Sequence, residues 1–188
     1  MNITPSSISG AWLIESRGFG DDRGWFQEWF TQSIVLQDTG FRFEPAQLNI
    51  SHSSAGVIRG IHYSIAPQGQ AKLVAFMSGV IHDYIIDIRP GSLTFGRWER
   101  VRLDAQSGHS ALLGPHMAHA FQVISLDATV CYAVSAEFNP EAEKAINPFC
   151  STLAITWNSE VEPLLSPKDV DAPSLYEQLN AGLLPTFG

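Results

Sequence analysis

The fold this sequence predicts is an all-β domain, an antiparallel sandwich or barrel, and three observations lead to it. Short runs rich in β-branched and aromatic residues recur at close to ten-residue spacing through the middle of the chain. Each run is closed by Gly, Pro, Asn or Asp, and the 15 glycines and 11 prolines are numerous enough to supply those turns. Helical signals are few and lie at the ends. The expected strands, in order, are Gln47–Ser51, Val57–Tyr63, Lys72–Met77, Val80–Arg89, Phe95–Leu103, Ser110–Leu113, His119–Ile124 and Thr129–Ser135. Pro90-Gly91-Ser92 and Gln106-Ser107-Gly108 read as hairpin turns. Asn139–Ala145 reads as one helical turn, with Asn as cap and Pro140 at the first position, and Ala172–Leu179 as a second short helix. No repeat, low-complexity tract or linker breaks the chain. The 188 residues therefore read as one domain: N-terminal strands over 1–45, a barrel core over 46–136 and a C-terminal appendage over 137–188.

Composition removes several function classes. Lys and Arg total 11 against 19 Asp and Glu, a net charge of -8, which argues against a broad nucleic-acid footprint. A few clustered cations could still hold a small anion. Cys131 and Cys150 are too few for a disulfide framework and fit a reducing compartment. The opening MNITPSSISG carries no basic-then-apolar leader, and no apolar run approaches the roughly 20 residues of a membrane helix. A soluble, cytoplasmic protein with no membrane partner is the expectation.

Polar residues inside apolar strands point to chemistry. In Gln47–Ser51, alternation places Gln47, Asn49 and Ser51 on one face, with Leu48 and Ile50 on the other. Alone, that pattern describes a half-exposed strand. The following strands, however, carry Arg59 and His62, then Lys72, then His82, Asp83, Asp87 and Arg89, and later His119 and Tyr132. Charged side chains are scarce in such runs, and in a barrel inward-facing polar residues converge on one cavity. Metal binding fits poorly. His62 has no His two residues away, His116 and His119 are three apart, and the cysteines form no C-x-x-C pair. A His–Lys–Tyr set suits proton transfer beside a carbonyl: imidazole as base, ammonium as enolate stabiliser, phenol as acid. Base and acid on opposite sides of one carbon would epimerise it.

These residues fall in blocks that resemble the dTDP-4-dehydrorhamnose 3,5-epimerase family. The blocks are Asp21-Asp22-Arg23-Gly24-Trp25-Phe26-Gln27-Glu28, Gln47-Leu48-Asn49, Ser54 through His62, Gln70-Ala71-Lys72, Asp87 through Ser92, Thr94-Phe95-Gly96, Ala118-His119-Ala120-Phe121 and Leu165-Ser166-Pro167-Lys168-Asp169. Their order and spacing span essentially the whole chain. The resemblance implies a cupin-type jelly-roll β-barrel, a homodimer with N-terminal strands crossing to the partner, no cofactor, and a dTDP-linked 4-keto-6-deoxy sugar as substrate. It implies His62 as base oriented by Asp169, Lys72 as enolate stabiliser and Tyr132 as acid. Arg59, His119, Gln47 and Asn49 would line the sugar–diphosphate site, with Glu143 and Lys168 nearby. Arg23, Phe26 and Glu28 would hold the nucleotide from the partner subunit, and Asp83 would position Lys72. Phe138 stands in the sugar site where the family commonly has Tyr, which points to a specialised member acting at C3, C5 or both. Two other readings stand beside it: a metal-dependent cupin isomerase or oxygenase, and a non-catalytic sugar-nucleotide binding module.

Overall fold

Alternation is what builds the barrel. The computed structural model describes residues 1–104 and 107–186. The first elements are β1 (Asn2–Pro5), β2 (Ala11–Glu15), β3 (Gly18–Asp21), β4 (Gly24–Gln27) and α1 (Gln32–Thr39). The barrel strands follow as β5 (Gln47–Ser54), β6 (Ile58–Ser64), β7 (Lys72–Ser78), β8 (Val80–Ile86), β9 (Trp98–Asp104), β10 (His109–Leu113), β11 (Ala118–Val123) and β12 (Asp127–Val134). The chain closes with β13 (Glu143–Ala145), α2 (Pro167–Val170) and α3 (Leu175–Asn180). One sheet has the order β1-β2-β10-β7-β12-β5 and the other β13-β6-β11-β8-β9, while β3 and β4 form a separate hairpin. All named pairings are antiparallel. The all-β jelly-roll barrel expected from the sequence is the fold observed.

Each sheet buries both faces over much of its area. Between the sheets, Val74, Ala111, Leu113 and Val130 meet Ile81, Ile85, Leu103, Phe121 and Val123. Every fully buried Val, Leu, Ile or Phe there contributes about 1.5–3 kcal/mol. The outer face of the five-stranded sheet carries Tyr63, Tyr84, Ile86 and Ala120, covered by Ile146, Leu153, Ile155 and Leu175 of the C-terminal appendage. Gln122, buried on that face, donates to Asn158 O at 3.1 Å and accepts from Asn158 N at 2.7 Å. On the outside of the six-stranded sheet, Ile14, Leu73, Leu112 and Ala133 are capped by Val35 of α1 and by Phe43.

Four local expectations change. The region 1–45, expected as strands, also holds helix α1, which forms despite its β-branched Ile34-Val35 pair because Val35 docks on the sheet. Strand β8 stops at Ile86 rather than Arg89. The buried Asp87 carboxylate gathers Arg89 Nε at 2.8 Å, Ser92 Oγ at 2.5 Å and Thr94 Oγ1 at 2.6 Å into a tight turn, so the next strand starts only at Trp98. Burial would raise the Asp87 carboxyl, but these donors outweigh it and hold it at about 2. Asn139–Ala145 is not a helical turn throughout: Pro140–Ala142 turn, and Glu143–Ala145 then pair with Ser64, Tyr63 and His62. A segment so short gains more from a sheet edge than from nucleating a helix. The last helix begins at Leu175, after Ser174, whose side chain and that of Glu177 form a capping box. Of the turn expected at Gln106-Ser107-Gly108, Gln106 lies outside the described residues.

One irregularity places the site. On a regular strand, residues 59 and 62 face opposite sides. Here His62 pairs with His119 and Arg59 with Phe121, so β6 spends one residue more than β11 between the two pairs. This bulge turns Arg59 and His62 to the same, inner side. Gly60 permits it: its φ is +131°, and a Cβ there would lie 2.4 Å from Ala120 Cβ.

Candidate active site

The inner faces of β5, β7 and β12 carry Gln47, Asn49, Lys72 and Tyr132, in register: Tyr132 opposite Asn49 and Val74, Val134 opposite Gln47 and Lys72. From the facing sheet, the bulged β6 contributes His62. These side chains, with Gln70, Val134, Phe138, Glu143 and Lys168, line a cavity of about 330 Å³. His62 therefore enters from one wall of the sandwich, and Lys72 and Tyr132 from the other.

His62 is held from behind. Its Nε2 lies 2.7 Å from Asp169 Oδ1, and the carboxylate is almost fully buried. Burial alone would raise the Asp169 carboxyl. The hydrogen bonds from His62 and Ser166, with the His62 and Lys168 charges, overcome burial and keep it below its ordinary range. An ionised carboxylate only accepts, so Nε2 presents its proton to Asp169, which leaves Nδ1 as the ring nitrogen available for proton transfer. Asp169 is itself fixed at the start of α2, where Ser166 Oγ donates to its Oδ2 at 2.8 Å and accepts from its backbone N–H at 3.2 Å.

On the opposite wall, Lys72 is buried and its Nζ donates to Gln70 Oε1 at 2.7 Å. Burial pulls its ammonium below the usual lysine range, and the Glu143 charge partly restores it. Tyr132 is pushed upward by burial, opposed by Arg59 and reinforced by Glu143, so it enters the neutral range as a protonated phenol. Gln47 ties the rim together: Nε2 donates to Asn49 Oδ1 at 2.7 Å and Oε1 accepts from Phe138 N at 2.9 Å. Phe138 is 62% exposed.

Ten of the fourteen sequence-derived site residues meet in or beside this cavity: Gln47, Asn49, His62, Lys72, Tyr132, Phe138, Glu143 and Lys168 line it, Asp169 backs His62, and Arg59 lies close enough to act on Tyr132. Arg59 reaches outward along the rim, donating to Ser53 Oγ at 2.9 Å. His119 sits deeper, its Nε2 2.6 Å from Asp83 Oδ1. Asp83 thus serves His119 and not Lys72, because it lies beside His119 on the neighbouring inner strand. Arg23 and Phe26 are not brought to this cavity; they belong to the β3–β4 hairpin, where Arg23 pairs with Asp21. Glu28 follows that hairpin. Gln70 and Ser166 were not singled out as site residues; a Gln two positions before a buried Lys was the available signal for the first. Among the described residues, no three His, Cys, Asp or Glu side chains group so as to hold a metal ion.

The chain is similar over nearly its whole length to known sugar-nucleotide epimerases. A family model described as dTDP-4-dehydrorhamnose 3,5-epimerase matches residues 5–177. A dTDP-4-dehydro-6-deoxyglucose 3-epimerase from a Streptomyces species is 42% identical over 97% of this chain and 93% of its own length. A dTDP-4-dehydrorhamnose 3,5-epimerase from Mycolicibacterium smegmatis is 40% identical over 100% of this chain and 92% of its own. Among solved structures, ChmJ, a 3'-monoepimerase from Streptomyces bikiniensis in complex with dTDP-quinovose, superposes with a TM-score of 0.93 at 41% identity, covering 97% of this chain and 92% of that one.

Proposed function

We propose that this chain, which belongs to the dTDP-4-dehydrorhamnose 3,5-epimerase family, inverts C3, C5 or both in a dTDP-linked 4-keto-6-deoxyhexose, as a step of deoxysugar biosynthesis. The observation that carries the mechanism is the opposed placement of His62 and Tyr132 across one cavity, with Lys72 beside the acid. His62 Nδ1 takes the proton from the carbon next to the C4 ketone. The C–H electron pair moves into the enolate, whose oxygen the Lys72 ammonium stabilises. Tyr132 O–H then delivers a proton to the same carbon from the other side, inverting it, and both side chains regain their starting protonation from water. The ketone is the electron sink, so the reaction requires no metal or cofactor.

Gln47 and Asn49 supply neutral hydrogen bonds to the sugar, with Glu143 and Lys168 at its edge and Arg59 and His119 set for the diphosphate. Phe138 offers an aromatic face without a hydroxyl. Arg23, Phe26 and Glu28 act on the nucleotide of the partner subunit in a homodimer. The β3–β4 hairpin supports this, since it pairs with neither sheet and exposes Phe19, Trp25 and Phe26 at 56%, 69% and 64%. Among the described residues no helix is long and apolar enough to cross a membrane, and the place of work we propose is the cytoplasm.

Solvent-deuterium incorporation at C3 and C5, read by NMR on a 4-keto-6-deoxy sugar nucleotide, tests the reading. Exchange with inversion, lost in His62→Asn, is expected; binding of dTDP with no exchange at either carbon would overturn it. Mixing His62→Asn chains with Arg23→Ala chains tests the shared site: regained turnover supports the dimer, and strictly additive residual rates refute it.

A further inference from the structure

The side chain that fixes the Lys72 ammonium is an uncharged amide two residues before it, just ahead of β7. Gln70 is 6% exposed, and its two amide ends face different partners. Oε1 accepts from Lys72 Nζ at 2.7 Å, while Nε2 donates to Ala136 O at 3.1 Å. Both partners admit one orientation only, because an ammonium can only donate and a carbonyl can only accept. Ala136 belongs to the segment that leads to Phe138. Next to it, Ser135 Oγ accepts from Ala71 N at 2.9 Å and Ser135 N donates to Ala71 O at 3.0 Å.

We propose that Gln70 is a positioning residue for Lys72: its carboxamide holds the ammonium in place in the cavity and couples it to the segment that presents Phe138. This rests on the role given to Lys72 above. A long flexible side chain has many rotamers, and fixing one end on a buried acceptor removes most of them before substrate arrives. An amide suits the position for a second reason. Lys72 already faces a full negative charge on Glu143 of β13, and around it also lie His62 of β6, Tyr132 of β12 and Lys168 of α2. A carboxylate at position 70 would add a second anion and would face the Ala136 carbonyl with an acceptor. An apolar side chain would leave one N–H of a buried ammonium without its acceptor.

The two substitutions move Lys72 in opposite directions. Gln70→Leu removes an acceptor that favours the charged form, so the lysine gives up its proton about tenfold more readily, roughly one pH unit lower. Gln70→Glu adds charge and shifts it upward by a similar amount. The chain has three lysines, Lys72, Lys144 and Lys168, so labelling their ε-carbons gives a three-line NMR titration, assigned with Lys144→Arg and Lys168→Arg. Expected are a Lys72 midpoint below the unaltered protein in Gln70→Leu and above it in Gln70→Glu. The alkaline limb of kcat should move the same way in each variant, and kcat should fall about tenfold or more in both, since Gln70→Leu removes both ends of the clamp and Gln70→Glu removes its link to Ala136. Unmoved midpoints in folded protein would overturn the proposal, whatever happens to the rate. Should Gln70→Leu fail to fold, Gln70→Glu decides alone: an upward shift supports the clamp and none refutes it. If the unaltered protein turns over no 4-keto sugar nucleotide, the proposed reaction fails, while the titration still judges the clamp.

Discussion

Two histidine–aspartate pairs face the interior of this barrel, and they differ in consequence far more than in geometry. His62 and Asp169 lie 2.7 Å apart, His119 and Asp83 2.6 Å. The His62 side chain is 37% exposed and borders the cavity, whereas that of His119 is 12% exposed. The Asp169 carboxylate has work for both oxygens, one on His62 and one on Ser166. Asp83, with no exposed surface, leaves Oδ2 without a hydrogen-bond partner among the described residues. A short His–Asp contact therefore does not by itself make a base. The proposed base differs in bordering the cavity and in having its other ring nitrogen held by a carboxylate whose two oxygens are both bonded.

The comparison breaks most visibly at Asp169. Replacing it with Asn removes the anion that holds the proton on Nε2, so turnover should fall about 10²–10⁴-fold with KM little changed, as steady-state kinetics would register. Wild-type thermal stability should also fall in acid. The Asp169 carboxyl is held below its unfolded value, so its contribution is present above the ordinary carboxylate range and is lost as pH drops through the lowered value. Asp169→Asn should lack that part of the acid dependence in a melting series. Asp83→Asn sharpens the contrast from the other side. His119 loses the carboxylate that holds its ring, and with it its aim towards the proposed diphosphate site, so KM should rise about tenfold while kcat stays within a fewfold of wild type. A kcat collapse in Asp83→Asn equal to that in Asp169→Asn would make the two pairs equivalent and sink the distinction.

Much of this was legible in the sequence where residue type and alternation speak together. Gln47, Asn49, Lys72 and Tyr132 sit on strands whose period-two pattern already places them on one face, and the register keeps them there. Asp169 was reached only through the motif around it, since nothing in a four-residue helix near the C-terminus says that it will back a histidine 107 residues away. Local pattern failed where tertiary contact decided. Helix α1 forms on a β-branched stretch because Val35 has a sheet to dock on, and Glu143 reaches the cavity as part of an edge strand, not a helical turn. Alternation alone would have set Arg59 and His62 on opposite faces. The bulge that unites them depends on a contact with Ala120, across 60 positions of sequence, which no strand pattern encodes.

That contact between Gly60 and Ala120 also sets how the site can vary. The two strands come so close that there is room for one methyl group between them, and it belongs to β11. Position 60 is thus closed to every side chain, not for chemistry of its own but because its neighbour already owns the space. Any change in the reach of Arg59 or the aim of His62 made by altering this strand must first accommodate Ala120. Change is easier on the cavity rim at Phe138, a residue more than half exposed, which can be replaced without asking the barrel to move.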